Sequence, residues 1–326
     1  MLILTSVLLH AALAPNYTII HKYPIPGEGG WDYITVDPDS NRHYISRGTH
    51  VQVMATNTGK IIGDIPNTPG VHGIALAKSL GKGFTSNGRD NSVSVFDLKT
   101  LKETSRVKVG TNPDGIIYDS FSGYVFTFNG RSSDATAFDA RSGKVMGTVP
   151  LGGKPEGGVS DGKGTIFVNV EDKSSVVEFG AKSLKVVKSF SLAPGEEPTG
   201  IGYDPKKGLI FSGCGNSMLT VLDIKSGKII GTVPTGGGTD FADFDPFTGT
   251  VFTSNGEGTL SVIQFVSGTY NNVQNVKTQP SARTMSLDAK HHLVYLIAAD
   301  FTEAKPGERR GAMKPGSAAI LVVGKK

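Results

Sequence analysis

Side chains able to do chemistry recur at one position of a repeat of about 42 residues. The series contains four acids, one imidazole, one hydroxyl and one guanidinium: Asp32, His72, Asp114, Glu156, Thr199, Asp240 and Arg283. If the repeats close into a ring, these side chains converge, and converging carboxylates repel one another unless they share a cation or a proton. We therefore predict a divalent cation, Ca²⁺, Mg²⁺ or a similar ion, bound by Asp32, His72, Asp114, Glu156 and Asp240. The alternative is a set of polar side chains that cap backbone amides and line a water-filled channel.

A second series of side chains follows the predicted second strand of each of the first three repeats. It is basic and consists of Arg47, His50, Arg89 and Arg131. The forked donors of Arg89 and Arg131 match the geometry of carboxylates, which favours an anionic ligand. Trp31, the only tryptophan, can stack on such a ligand. The predicted ligand-binding set is Trp31, Asp32, Arg47, His50, Arg89, Arg131, Asp240 and Arg283, and the alternative for the arginines is an ordinary solvated surface.

The repeat that carries both series predicts the fold. Its seven copies start near residues 31, 73, 115, 157, 200, 241 and 283. Each copy reads as four short strands separated by turns, and one such unit cannot bury both of its faces alone. The expected structure is all-β, a single seven-bladed β-propeller of four-stranded antiparallel blades over residues 17–326. The last copy supplies only three strands, so residues 17–25 are predicted to pair in blade 7 and close the ring.

Two recurring strand motifs carry a family resemblance. Residues 84–88 and 252–256 read Phe-Thr-Ser-Asn-Gly, and residues 142–150 and 226–234 begin Ser-Gly-Lys and end Gly-Thr-Val-Pro. Asn-Gly is a common turn dipeptide because both residues tolerate positive φ, so a turn of that kind is expected after these strands. Across residues 17–326 the chain resembles the YVTN-repeat, or YncE-like, β-propeller family. The resemblance implies an exported seven-bladed propeller, in a family whose ligands are mostly unassigned.

The N-terminus and the charge limit the location and the partners. Residues 1–14 are largely apolar and end in an Ala-x-Ala triplet, which is typical of a secretory signal peptide and indicates a periplasmic or secreted protein. The apolar segment is too short for a membrane span. A net charge of +4, without a basic run, is weak support for nucleic-acid binding. Cys214 is the single cysteine, so no internal disulfide can form.

These observations favour a monomeric binding or scaffold protein that holds a small molecule, a peptide or a cell-surface partner at the channel mouth. The residues 301–316, inserted in blade 7, are expected to lie over the same face as a partial lid. An alternative is a metal-assisted lyase or hydrolase that uses His72, Asp114 and Glu156. Its plan is similar to that of virginiamycin B lyase, a seven-bladed propeller enzyme with His and Glu around Mg²⁺. A second alternative is a single-stranded nucleic-acid binder that uses the arginines with Trp31 as a stacking platform.

Overall fold

The computed structural model describes residues 15–305, 307 and 311–326. The predicted signal peptide, residues 1–14, lies outside the described part, as do residues 306 and 308–310 of the blade 7 insertion. Among the described residues no helix is long and apolar enough to cross a bilayer.

The described residues form seven four-stranded sheets, each a blade whose strands follow one another antiparallel. Blades 1 and 2 consist of β2 (Ile34–Asp37), β3 (Arg42–Ser46), β4 (Val51–Ala55) and β5 (Ile61–Ile65), then β6 (Val71–Ala77), β7 (Lys82–Asn87), β8 (Ser92–Asp97) and β9 (Glu103–Lys108). Blades 3 and 4 consist of β10 (Pro113–Asp119), β11 (Tyr124–Asn129), β12 (Asp134–Asp139) and β13 (Val145–Pro150), then β14 (Pro155–Ser160), β15 (Thr165–Val170), β16 (Ser175–Gly180) and β17 (Val186–Ser191).

The remaining three blades repeat this order. Blades 5 and 6 consist of β18 (Pro198–Asp204), β19 (Leu209–Cys214), β20 (Met218–Asp223) and β21 (Lys228–Pro234), then β22 (Thr239–Asp245), β23 (Thr250–Asn255), β24 (Thr259–Val266) and β25 (Thr269–Lys277). Blade 7 consists of β26 (Thr284–Asp288), β27 (Leu293–Ala298), β28 (Ala319–Lys325) and β1 (Tyr17–Pro24). Two short 3-10 helices, Lys78–Leu80 and Glu171–Lys173, lie in turns of blades 2 and 4.

The hydrophobic core lies between the blades. Phe84 of blade 2 meets Phe138 of blade 3 edge to face, with ring centroids 5.8 Å apart, and Phe126 of blade 3 meets Phe179 of blade 4 at 5.5 Å. All four rings are fully buried. Inner strands contact the inner strands of both neighbours all the way round, including β26 with β2. The predicted all-β, seven-bladed propeller of four-stranded antiparallel blades is confirmed.

The N-terminal strand closes the ring, as predicted. β1 pairs antiparallel with β28, from Tyr17 opposite Lys325 to Pro24 opposite Ala319. Tyr17 also reaches blade 6, where its ring meets Phe252 edge to face at 5.3 Å. The Gln274 side chain of β25 accepts a hydrogen bond from the Tyr17 amide at 3.0 Å and donates one to its carbonyl at 2.8 Å. The outer edge of blade 7 is therefore covered by a strand from the other end of the chain.

The turn expected after the Asn-Gly pairs is present, but neither residue of the pair supplies its positive φ. Neither Asn87 nor Gly88 has positive φ, and the left-handed residue of that turn is Asn91, at φ 55°. Asn87 is instead the buried last residue of β7, where its side chain binds neighbouring hydroxyls. A buried side-chain amide needs hydrogen-bond partners, and Asn87 has three, the hydroxyls of Thr85, Ser92 and Ser94. The turn starts after the asparagine.

Candidate functional site

The seven residues of the first series, the ring residues, lie at the start of the inner strands. His72, Asp114, Glu156, Thr199 and Asp240 are each the second residue of an inner strand, whereas Asp32 and Arg283 lie just before β2 and β26. Six of the seven, all except His72, line one cavity of about 260 Å³ at this mouth of the channel. The complete lining is Asp32, Tyr33, Asp114, Lys154, Glu156, Glu171, Thr199, Asp240, Phe241, Arg283 and Thr284.

Glycines directly after the ring residues bring the inner strands close together. A Cβ on Gly115 would lie 2.6 Å from the carbonyl oxygen of Glu156, and a Cβ on Gly157 would lie 2.6 Å from that of Thr199. A Cβ on Gly73 would lie 3.1 Å from the carbonyl oxygen of Asp114. Separations below about 3 Å do not accommodate a methyl group. The absence of a side chain at these positions therefore lets each ring residue lie against the next blade.

Serines of the second strands hold the ring backbone in place. The Ser46 hydroxyl accepts a hydrogen bond from the Asp32 amide at 2.9 Å. Ser86 accepts one from the Gly73 amide at 2.8 Å and donates one to the Asp114 carbonyl of the next blade, and Ser254 donates likewise to the Arg283 carbonyl. In the Phe-Thr-Ser-Asn-Gly motif the serine thus joins neighbouring blades beneath the cavity.

Blades 1 to 3 contribute an Asp–His–Asp cluster. The His72 Nδ1 donates a hydrogen bond to Asp32 Oδ2 at 2.5 Å and lies 3.7 Å from Asp114 Oδ1. Burial lowers the pKa of His72, but the hydrogen bond to Asp32 and the nearby charge of Asp114 outweigh it and leave the pKa raised. The imidazole is therefore held next to two carboxylates in a partly buried corner of the mouth.

The other ring acids have basic partners. Lys154 Nζ lies 2.6 Å from Glu156 Oε1 and also bonds Glu171, and Arg283 Nη1 lies 3.0 Å from Asp240 Oδ1. Reading one residue per blade missed Lys154, although it lies only two residues before Glu156, in the same entry loop. The sequence signal was present in that loop, but the pairing depends on how the loop folds.

Burial of several carboxylates in one small cavity raises their pKa values. Burial, and next the charge of Asp32, raises the pKa of Asp114 to about 6. Burial and the charge of Asp114 raise that of Glu156 to about 8. Burial raises the pKa of Asp240 to about 6, although Arg283 opposes the shift. The cavity therefore holds more carboxylates than its own cations neutralise, and each of these acids gains from a positive charge brought nearby.

Two aromatic residues of the cavity lining contact each other beside the acids. Tyr33 of blade 1 and Phe241 of blade 6 meet edge to face with ring centroids 5.9 Å apart. Only blade 7 separates these two blades, so the contact lies at the mouth in front of blade 7. Both residues line the cavity, and sequence reasoning named neither of them as a site residue. They give a polar cavity one apolar wall.

The basic series is spread over different environments. Arg89 and Arg131 are exposed, with no side-chain hydrogen bond among the described residues. Arg47 is 1% exposed and donates to the Gly27 carbonyl at 3.1 Å, while its Nε and Nη1 have no partner among the described residues. His50 lies 3.7 Å from Asp64 and lines a separate open groove of about 930 Å³ beside blades 1 and 2. Of these four side chains, one is buried, two are exposed and one lies at the groove.

The blade 7 insertion borders the mouth. Phe301 lies 6.1 Å from Trp31 between ring centroids and pairs with Met313 in an isolated bridge. A second cavity of about 500 Å³ is lined by Phe301, Lys314 and Arg283, among others. Because Arg283 lines both cavities, the described part of the insertion lies next to the acidic cavity. Glu308, Arg309 and Arg310 lie outside the described residues.

The fold and the site define the class: a seven-bladed β-propeller with a polar, mainly acidic cavity at one mouth of its channel. No protein-family model and no curated protein matches the chain. Among solved structures it is similar to a chain of hydrazine synthase from Kuenenia stuttgartiensis, with a TM-score of 0.73, 16% identity, and 83% of this chain and 94% of that chain covered. It is also similar to U3-55K, with a TM-score of 0.75, 7% identity, and 94% and 98% covered. At such identities the likeness shows the fold alone.

Proposed function

We propose that this propeller is a binding protein that holds a small, positively charged ligand in the acidic cavity at its channel mouth. The observation that carries the proposal is the charge of the lining. Five carboxylates (Asp32, Asp114, Glu156, Glu171 and Asp240) face two cationic side chains, Lys154 and Arg283. A positive ligand relieves this excess, and the pKa values of Asp114, Glu156 and Asp240, raised first by burial, show that these acids also gain from a nearby positive charge.

A buried hydroxyl in the same cavity supports a ligand. Thr284 lines the cavity and is 1% exposed, yet its Oγ1 has no hydrogen-bond partner among the described residues. Buried polar atoms in native proteins almost always have a partner, protein or otherwise. A bound ligand or its water provides that partner here. The cavity volume of about 260 Å³ suits a hydrated ion or a small amine rather than a polymer.

The distribution of charge also ranks the alternatives. An anionic ligand gripped by Arg89 and Arg131 would have to lie on exposed side chains beside an acidic mouth. A nucleic-acid strand would bring its phosphates to the same carboxylates and be repelled. Both alternatives therefore have weaker support than a cation.

The test is thermal unfolding of the full chain with a panel of divalent metal ions, small organic amines and small organic anions. A ligand that binds only the folded state raises the melting temperature in a saturable way, by an amount that corresponds to about 2.7 kcal/mol at one hundred times its Kd. We expect cations to stabilise and anions not to. The metal and amine arms separate the two sources of positive charge.

The control is a matched pair of carboxylate variants. Asp114→Asn should weaken binding of the stabilising cation at least tenfold, because it removes one cavity carboxylate. Glu103→Gln should not, since Glu103 pairs with Arg106 at 2.8 Å on the outer strand β9. Stabilisation by anions alone, lost in Arg89→Ala, would contradict the proposal and favour the arginine site.

An enzyme is the second candidate, because one observation favours it. Burial and the charge of Asp114 raise the pKa of Glu156 to about 8, which brings this acid into the range in which a general acid can work at neutral pH. Any cation found in the panel can be tested for turnover with Glu156→Gln, an isosteric change that removes the acid and leaves the shape of the site. Turnover lost with binding retained supports the enzyme.

Export, the monomeric state and the family belong to the same proposal. The apolar segment at residues 1–14 with its Ala-x-Ala triplet supports secretion to the periplasm or beyond. The repeated Phe-Thr-Ser-Asn-Gly strands support membership of the YVTN-repeat propellers. The ligand at the mouth can be a free small molecule or a positively charged group of a peptide or cell-surface partner.

A further inference from the structure

Three ligand atoms of the mouth converge on one point. Asp32 Oδ2, His72 Nδ1 and Asp114 Oδ1 all lie within 4.8 Å of one another, with the imidazole nitrogen 2.5 Å from the first oxygen and 3.7 Å from the second. A metal ion with bonds of about 2.0–2.2 Å to each atom fits such a triangle after small side-chain rotations.

The orientation of the imidazole is imposed by the backbone. A Cβ on Gly88 would lie 2.7 Å from His72 Nε2, so the ring packs directly against this glycine. That contact leaves Nδ1 as the nitrogen that faces the two carboxylates. The Asp32 amide is held by Ser46 and the Asp114 carbonyl by Ser86, as described above. The backbone at Asp32 and Asp114 and the ring of His72 are therefore held in place before an ion arrives, so that small rotations of the carboxylates complete the site.

The structure divides the five-residue metal set expected from the sequence. Glu156 has its own cation in Lys154, and Asp240 has its own in Arg283. Among the described residues, the ion-pair partner of both Asp32 and Asp114 is the His72 imidazole. Thr284 also lines the cavity that Asp32 and Asp114 line, and its buried hydroxyl has no hydrogen-bond partner among the described residues. The geometry thus concentrates metal binding in one corner instead of the whole ring.

We propose that Asp32, His72 and Asp114 bind one divalent transition-metal ion, such as Zn²⁺ or Mn²⁺, with its open coordination positions facing the cavity. The inference rests on the proposed function and names its cation. An imidazole ligand favours these ions over Ca²⁺ and Mg²⁺, which prefer oxygen ligands alone. Three protein ligands leave positions for water or a small ligand, as in metal sites that act on bound molecules.

The test titrates the metal alone into chelator-treated full chain by calorimetry. We expect one equivalent of Zn²⁺ or Mn²⁺ to bind, and binding at least tenfold weaker in Asp114→Asn and in His72→Gln. The control is His292→Ala, because His292 forms a similar pair with Asp245 at 2.8 Å in the turn between β26 and β27. Bound Mn²⁺ should also show ¹⁴N coupling in pulsed electron paramagnetic resonance, and His72→Gln should abolish it.

Two outcomes would overturn the metal site. The first is the absence of saturable binding by either ion, and the second is binding that Asp114→Asn, shown by circular dichroism to be folded, leaves unchanged. Should His72→Gln fail to fold, Asp32→Asn replaces it as the second variant. If amines stabilise the chain through the cavity while neither metal binds, the metal site falls and the proposed function stands. If neither metals nor amines bind, both fall.

Discussion

Burial of an acidic side chain on an inner strand has an electrostatic cost, and this cost can be assigned to individual residues. Asp243 of β22 is partly buried and outside the cavity lining. Burial raises its pKa to about 7, against which the hydrogen bond from the Phe244 amide at 2.8 Å works only in part. Because the unfolded chain has an ordinary aspartate, the folded state binds an extra proton between about pH 4 and pH 7. Its contribution to stability therefore falls as the pH rises through that window.

Replacing this acid gives a prediction with a definite sign. Asp243→Asn should increase the free energy of unfolding at pH 8 by about 1–3 kcal/mol, since asparagine can accept the same hydrogen bond without a charge. The gain should disappear near pH 4. Chemical denaturation at both pH values measures it. Asp97 is the opposite case, because hydrogen bonds from Thr100 lower its pKa, and Asp97→Asn should destabilise the protein at pH 8. A gain at pH 4 as large as that at pH 8 would exclude the electrostatic explanation.

At this scale the sequence predicts positions better than contacts. One residue per blade, read at a constant offset, placed six side chains around one cavity. It could not show that His72 bonds Asp32 while Lys154 neutralises Glu156, because side-chain direction and loop path depend on the folded backbone. Arg47 was expected in a loop beside a ligand and is buried instead. The position of a residue within the repeat shows its blade and the end of the blade at which it lies. It does not show which side chains the residue contacts.

At the scale of the element, the second strand of a blade packs in the core and also forms side-chain hydrogen bonds to the third strand. In β7, Thr85 donates to Asn87 Oδ1 at 2.9 Å, and Asn87 Nδ2 donates to Ser94 of β8 at 3.0 Å. The same arrangement recurs around Asn129 in β11 and Asn255 in β23. Strand positions were predictable from alternation and repeat length. The hydrogen-bond role of the asparagine was not, because Asn-Gly is also a turn signal.

Breaking one such network should cost stability without changing the fold. Asn87→Ala leaves the buried Thr85 and Ser94 hydroxyls short of partners, so we expect the free energy of unfolding to fall by about 1–3 kcal/mol. Asn271→Ala is the control, since Asn271 is exposed on β25, and it should change stability by less than about 0.5 kcal/mol. Urea denaturation of both variants measures the difference. If the two variants have the same urea midpoint, water has replaced the hydrogen bonds of the Asn87 side chain and the prediction is wrong.

At the scale of the whole molecule, the ring depends on a strand from the opposite end of the chain. The last repeat lacks a fourth strand, and that deficit predicted the closure by β1. The reciprocal bonds between Tyr17 and Gln274 extend the closure to blade 6, a contact that the repeat pattern does not contain. Long-range pairing of this kind makes the two termini one structural unit.

Removing the closing strand should therefore affect every blade. A chain that begins at Pro26 exposes the edge of β28 and loses the Tyr17 contacts, so it should unfold at a lower temperature and aggregate, as unpaired edge strands do. A chain that begins at Asn16 retains β1 and is the matched control. Calorimetry and light scattering compare the two. Identical melting curves would show that blade 7 is stable with three strands.

The glycines that follow the ring residues determine how closely the inner strands approach, whereas the ring residues determine the chemistry of the mouth. At Gly73, Gly115 and Gly157 the backbone of one blade lies close to the backbone of the next. These main-chain contacts, rather than the side chains of the ring residues that precede the glycines, set the distance between the inner strands. Each of those positions can change between acid, base and hydroxyl while the neighbouring blades keep their distance. A propeller built this way can acquire a new ligand by single substitutions at its mouth, and its selectivity can diverge between relatives that share one unaltered frame.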